Sequence, residues 1–206
     1  LSIPLEERMK VEYLVCDMYK PYINYIKQYF PNAKAVVDCF HVIKWINDRL
    51  TAYLRGVKKR YQNRDKDALN ESNYLTNKEL KSKKKSREVY ILSRYSYYLF
   101  SNKDNIDYLK EPRYDFTLRQ TLDAYQCERM FFSLDAKLSI FRDLKEIYIQ
   151  FDKKAKLEPS KAELLLEDVI CTYASCGETI FEEFSLILKR NKKYIINSYT
   201  TVKVQD

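Results

Sequence analysis

Val11-Glu12-Tyr13-Leu14-Val15-Cys16-Asp17 and Ala35-Val36-Val37-Asp38 are the two stretches on which the fold turns. Each is a short apolar run that ends on an aspartate. Runs this continuously apolar predict strands buried on both faces. Between them, Tyr22, Ile23, Ile26 and Phe30 fall at helical spacing, Pro21 suits a first helical turn, and Pro31-Asn32 stops the pattern. Strand, helix and strand within roughly thirty residues make a βαβ unit, whose strands pair in parallel.

Beyond His41 the sequence reads as helix. Val42, Ile43, Ile46, Leu50, Tyr53, Leu54 and Val57 form one apolar stripe running into Arg60. Residues 62–85 are polar and lack apolar periodicity, which predicts a loop. Residues 88–100 predict a helix dense in tyrosine. One long amphipathic helix is predicted over 128–152, where Phe131, Leu134, Leu138, Phe141, Leu144, Tyr148 and Phe151 recur at three-and-four spacing. Ser160-Lys161-Ala162-Glu163 has the pattern of a capping box opening a helix that closes near Gly177, and 178–196 predicts the last helix. The expected fold class is mixed α/β and predominantly helical: a small parallel βαβ piece followed by a large all-helical region.

Composition agrees. Only two glycines and five prolines punctuate 206 residues, too few for a turn-rich β architecture. The net charge of +8 is concentrated: residues 49–94 carry 14 Lys/Arg against five Asp/Glu, whereas 1–48 balance at six and six. Such a stretch faces a polyanion more readily than it makes an evenly basic surface. Five scattered cysteines (16, 39, 127, 171 and 176) read as reduced thiols of a cytoplasmic protein. No apolar run approaches the roughly 18–20 residues a membrane span needs. The chain opens without Met and looks cut from something longer.

Three groups of residues carry candidate chemistry. Asp17, immediately after a buried strand, is placed where open parallel sheets gather their active groups, so it is a candidate metal ligand; capping the helix near Lys20 is the plain alternative. Asp38 and the single histidine, His41, form the second group. His41 is an accessory that ligates a metal or touches a phosphate, with Asp38 to orient its ring; both also suit the entry of the following helix, with Asp38 as its cap. Zinc is disfavoured, because no paired cysteines at ligand spacing join Cys39 and His41. The third group is basic: Arg49, Arg55, Lys58, Lys59, Arg60 and Arg64 on or just past one helix, with Lys81, Lys83, Lys84, Lys85 and Arg87 after it. Contacts from these to DNA phosphates would give affinity and salt dependence without sequence choice. Interleaved tyrosines at 53, 61, 90, 95, 97 and 98 suit base stacking or packing between helices.

The residues Asp17-Met18-Tyr19-Lys20-Pro21-Tyr22, Phe30-Pro31-Asn32-Ala33 and Val37-Asp38-Cys39-Phe40-His41-Val42 resemble the ISL-three-type insertion-sequence transposases. That family shows Asp-Met-x-x-Pro-Tyr, Phe-Pro-Asn-Ala and Val-Asp-x-Phe-His-Val. Asn47 and Leu50 extend the match, and weaker similarity continues through 99–105, 138–148 and Asn197-Ser198-Tyr199. Cys39 departs from the family's usual arginine, removing one DNA contact. The resemblance implies a ribonuclease H-like catalytic domain with an Asp, Asp, Glu triad holding two divalent ions, Mg2+ or Mn2+. Asp17 then takes the second Asp, with Asp38 its rival. The first Asp is expected before residue 1, and the Glu in a Ser-Asn-Gly-x-x-Glu-Gly-x-Asn motif beyond Asp206.

On that reading residues 1–41 are part of the catalytic core, 42–196 a helical insertion with the basic stretch 49–94, and 197–206 the start of the return to the core. Expected partners are DNA, as transposon ends and target, and a further copy of the chain, with no membrane; the setting is the bacterial cytoplasm at the nucleoid. Lacking two of three triad members, this stretch alone is expected to be inactive and to hold no tightly bound metal. Two other classes fit the residues: a non-catalytic helical nucleic-acid-binding module with a small α/β cap, and a protein-interaction domain built on Tyr-rich helices. Strong salt dependence of DNA binding separates the last from the others.

Overall fold

The computed structural model describes residues 3–71 and 86–200. In chain order it holds α1 (Leu5–Met9), β1 (Tyr13–Cys16), α2 (Lys20–Tyr29), β2 (Lys34–Val37), α3 (Cys39–Glu71), α4 (Arg87–Arg94) and α5 (Tyr97–Phe100). There follow β3 (Arg113–Asp115), β4 (Gln120–Leu122), α6 (Ala124–Phe132), α7 (Ala136–Leu157), α8 (Ala162–Ala174) and α9 (Thr179–Thr200). Two compact units result: residues 1–47 with 147–206, and residues 48–146. Residues 147–196, expected with the insertion, thus group with the βαβ piece.

In the first unit β1 and β2 pair in parallel, Tyr13 with Lys34 through to Cys16 with Val37, as the order of apolar runs predicts. Ile23 and Ile26 of α2 pack with Ala35 of β2, and Leu14, Cys16 and Tyr194 close over them. Burying two isoleucines contributes roughly 1.5–3 kcal/mol each. The expectation that both faces of β1 are buried is corrected. Its residues alternate, so Leu14 and Cys16 turn inward while Tyr13 and Val15 face out, Val15 63% exposed. β2 is covered more completely, because the last helix, α9, packs along it.

Helix α3 runs to Glu71, past the loop expected from Gln62. No Gly or Pro interrupts residues 62–71, and Lys, Arg, Gln, Ala and Leu there are strong helix formers. The rest of that expected loop, 72–85, lies outside the described residues, as do 201–206 of the expected return to the core. Val42, Ile46, Leu50, Leu54 and Val57 are the buried stripe of α3.

The second unit corrects the all-helical expectation: β3 and β4 form an antiparallel hairpin, Arg113 opposite Leu122. Its turn uses neither Gly nor Pro. Asp115 accepts from the Thr117 and Leu118 N–H groups, both at 2.9 Å, and Arg119 takes the left-handed φ of 55°. Both long-helix expectations also divide. The 88–100 segment breaks between α4 and α5, and 128–152 breaks between α6 and α7, where Asp135 accepts from the Lys137 N–H at 3.0 Å and starts a new helix.

At Ser160 no capping box forms. Pro159 leads a 3-10 turn, and Lys161, which caps α8, makes no side-chain cap bond. A capping box forms at Asp123 and Gln126 instead.

Candidate functional site

Asp17 and Asp38 both lie on the first unit, each one residue beyond the end of its strand. Cys16 and Val37 are the last paired residues, and the Asp38 N–H still donates to the Cys16 carbonyl at 3.2 Å. A parallel register therefore carries both carboxylates to the same end of the sheet. Each turns back on its own chain: Asp17 Oδ1 accepts from the Tyr19 N–H at 2.8 Å, and Asp38 Oδ1 from the Phe40 N–H at 2.9 Å.

These bonds distinguish the two acids. Phe40 is the second residue of α3, so Asp38 makes the bond of a helix N-cap. Asp17 does not cap α2, whose N-cap is Tyr19 without a side-chain bond. Half-buried His41 follows in α3, its ring set edge-on to Phe40 at 5.6 Å between centroids. The Asp38 carboxylate bonds the Phe40 N–H rather than the His41 ring.

Among the described residues no group of three His, Cys, Asp or Glu side chains is placed to hold a metal ion. Two hard carboxylates are nonetheless a suitable partial donor set for Mg2+, which takes one or two carboxylates and fills its octahedron with water and phosphate oxygens.

Behind Asp38 lies a polar network that composition and periodicity did not signal, although Asn197-Ser198-Tyr199 was among the weaker similarities. The Asn197 amide donates to the Ala35 carbonyl of β2 at 2.8 Å. The Tyr199 hydroxyl donates to Asp152 Oδ1 at 2.8 Å and sits 3.1 Å from the Cys39 thiol. Asp152 is also held by Lys156 at 2.7 Å. Burial pushes the Cys39 thiol up, so it stays protonated and able to donate.

The basic group lies in the second unit and is less free than its composition suggests. Arg60 pairs with Asp135, which also accepts from the Tyr53 hydroxyl at 3.0 Å. Arg64 pairs with Glu88 at 2.9 Å and Asp65 at 3.2 Å, over the Tyr61 ring. Arg49 and Lys58 also have partners within the fold. Arg55 and Lys59, one turn apart on α3, and Arg87 at the start of α4 are exposed. Lys81, Lys83, Lys84 and Lys85 lie outside the described residues. Of the interleaved tyrosines, Tyr95 and Tyr98 are buried in packing, whereas Tyr97 is exposed.

No described helix is long and apolar enough to cross a membrane. Residues 1–204 match the family model DDE_Tnp_ISL3, described as Transposase. No curated protein and no solved structure matches the chain.

Proposed function

The chain belongs to the ISL3 transposase family, and from that premise we propose that it carries part of the divalent-metal site of a ribonuclease H-like core that cuts and rejoins DNA. The observation that carries this reading is the placement of Asp17 and Asp38 side by side at the carboxyl end of the parallel pair. Such strand ends are where open α/β sheets hold their ligands. Asp17 is the metal ligand, because its carboxylate accepts from the Tyr19 N–H without capping a helix. Asp38, tied to the start of α3, is the rival or second ligand, and His41 is the accessory that meets a phosphate.

Asp17, with Asp38, would hold Mg2+ or Mn2+, which would supply Lewis-acid polarisation of the scissile phosphodiester and stabilisation of the leaving oxygen. The remaining carboxylates of the triad come from outside the described residues. DNA, as element ends and target, is held through its phosphates by the exposed cations of the helical region, Arg55, Lys59 and Arg87, with Lys81 and Lys83 to Lys85. The setting is the bacterial cytoplasm, at the nucleoid.

The test is a transposition assay with the gene that encodes this chain. Asp17→Asn should abolish excision of a marked element, and Asp168→Asn, on the exposed side of α8, should leave it unchanged. Loss with Asp38→Asn alone would transfer the metal role to Asp38. Full excision with both aspartates replaced would end the catalytic reading and favour the non-catalytic DNA-binding module.

A further inference from the structure

The residues that flank Asp38 on either side are gripped by one helical turn from the far end of the sequence. Ala35, three residues before it on β2, gives its carbonyl to the Asn197 amide at 2.8 Å. Cys39, the residue after it, sits 3.1 Å from the Tyr199 hydroxyl and 3.6 Å from that of Ser198. Both grips belong to the last turn of α9, and every residue involved lies in the first unit. We propose that Asn197 and Tyr199 are positioning residues, a latch that fixes the β2–α3 junction and so aims the Asp38 carboxylate.

The chemistry of the network supports a directed latch. A tyrosine hydroxyl has one proton, and Tyr199 spends it on Asp152 Oδ1 at 2.8 Å. Its oxygen is left to accept from the Cys39 S–H. Asp152 is 9% exposed and pairs with Lys156 through its other oxygen, so the chain of bonds starts from a carboxylate engaged on both oxygens. Tyr199 itself is 7% exposed, with its ring edge-on to Phe151 at 5.5 Å. Bonds made in such a dry setting hold their geometry better than exposed ones. Groups that orient a metal ligand from behind commonly change metal affinity roughly 10–100-fold when removed.

The inference rests on the proposed role of Asp38, and two measurements on the 206-residue chain separate them. Tyr199→Phe keeps the ring and removes the hydroxyl; Asn197→Leu removes the amide donor. Amide hydrogen exchange reads the junction without any metal. Both variants should speed exchange at Phe40 and His41 about three- to tenfold and lower the melting temperature by only a few degrees, while β1 amides stay nearly unchanged. Mn2+ titration followed by electron paramagnetic resonance reads the carboxylate: both variants should weaken Mn2+ roughly tenfold.

Unchanged exchange at 40–41, or a uniform rise across the unit, overturns the latch. Selective exchange with Mn2+ affinity equal to that of the wild-type chain supports the latch and overturns the metal role of Asp38 instead. A variant that fails to fold leaves the other to decide.

Discussion

Asp38 donates its own N–H to the carbonyl of Cys16, the residue immediately before Asp17, so the sheet ladder continues by one bond to the base of both carboxylates. The separation of the two acids is thereby set by backbone geometry, not by flexible side chains. Replacing either by Asn retains an amide oxygen to accept from Tyr19 or Phe40, and Asn serves as well as Asp in the local turn at Asp17 and at the N-cap at Asp38. Asp17→Asn and Asp38→Asn should each change stability by less than about 1 kcal/mol while abolishing Mn2+ binding. Thermal melts with Mn2+ titration check this; a large loss of stability would make the aspartates structural.

The purified chain with Mg2+ or Mn2+ should leave supercoiled plasmid intact. Two carboxylates do not complete two ion sites, and ions so poorly held keep their water. Nicking that disappears in Asp17→Asn would show that the full ligand set is present after all.

The βαβ piece was legible because each cue had one local cause: an apolar run for each strand, Pro21 to open the helix and Pro31 to close it. The β3–β4 hairpin was not, because its turn is made by Asp115 accepting two backbone N–H groups and by Arg119 at positive φ. The capping pattern misled at Ser160, where Pro159 draws the chain into a 3-10 turn, and went unread at Asp123-Ala124-Tyr125-Gln126. The placement of both aspartates just past their strands could be read from the sequence, since strand ends are local. The grip of Asn197 and Tyr199 on Ala35 and Cys39 spans about 160 residues, and no periodicity encodes it.

Asp115 should prove the anchor of that hairpin. Burial alone would raise its carboxyl, but the Leu118 N–H, the Tyr95 and Tyr90 hydroxyls and the Thr117 N–H together hold it below the ordinary 3.8. A depressed carboxyl contributes stability that is present above the unfolded value and is lost as pH falls through the folded one. Asp115→Ala should cost about 1.5–3 kcal/mol near neutrality, with the difference from wild type shrinking below pH 3.8. Urea denaturation at several pH values tests this; a constant difference would refute it.

Lys145 is 1% exposed, and its ammonium donates to the Leu99, Phe100 and Ser101 carbonyls at 2.9, 2.7 and 3.0 Å, closing the end of α5. Lys145→Met leaves these acceptors without their donor and should cost about 1–3 kcal/mol. Burial pushes the ammonium down to about 8 from the ordinary 10.5, Glu146 pulling it back. The unfolded chain then binds more protons between those values, so this residue makes stability rise with pH from about 8. Above the ordinary tyrosine value of 10, buried Tyr95 and Tyr98, whose hydroxyls burial raises, reverse the trend. The methionine variant should lack the rise, and its persistence there would assign it to another group.

The basic stretch yields the last prediction, sharpened by which of its cations are already engaged. Were about five phosphates neutralised by the region as a whole, log affinity for duplex DNA would fall with log salt at a slope of roughly −4 to −5. Arg60 and Arg64 hold Asp135, Glu88 and Asp65, so their ion pairs compete with any phosphate. Arg55 and Lys59 are exposed one turn apart on α3 and offer their charge directly. Replacing Arg55 and Lys59 by Ala should therefore flatten the slope by about one unit each with little effect on folding, since exposed charges contribute little to it. Arg60→Ala should do the opposite, disturbing the contact with Asp135 and Tyr53 more than the slope. Titration of a labelled duplex at several salt concentrations, paired with thermal melts, decides. A double Arg55, Lys59 variant with unchanged affinity and slope would return this face to solvent and move the DNA contacts off α3.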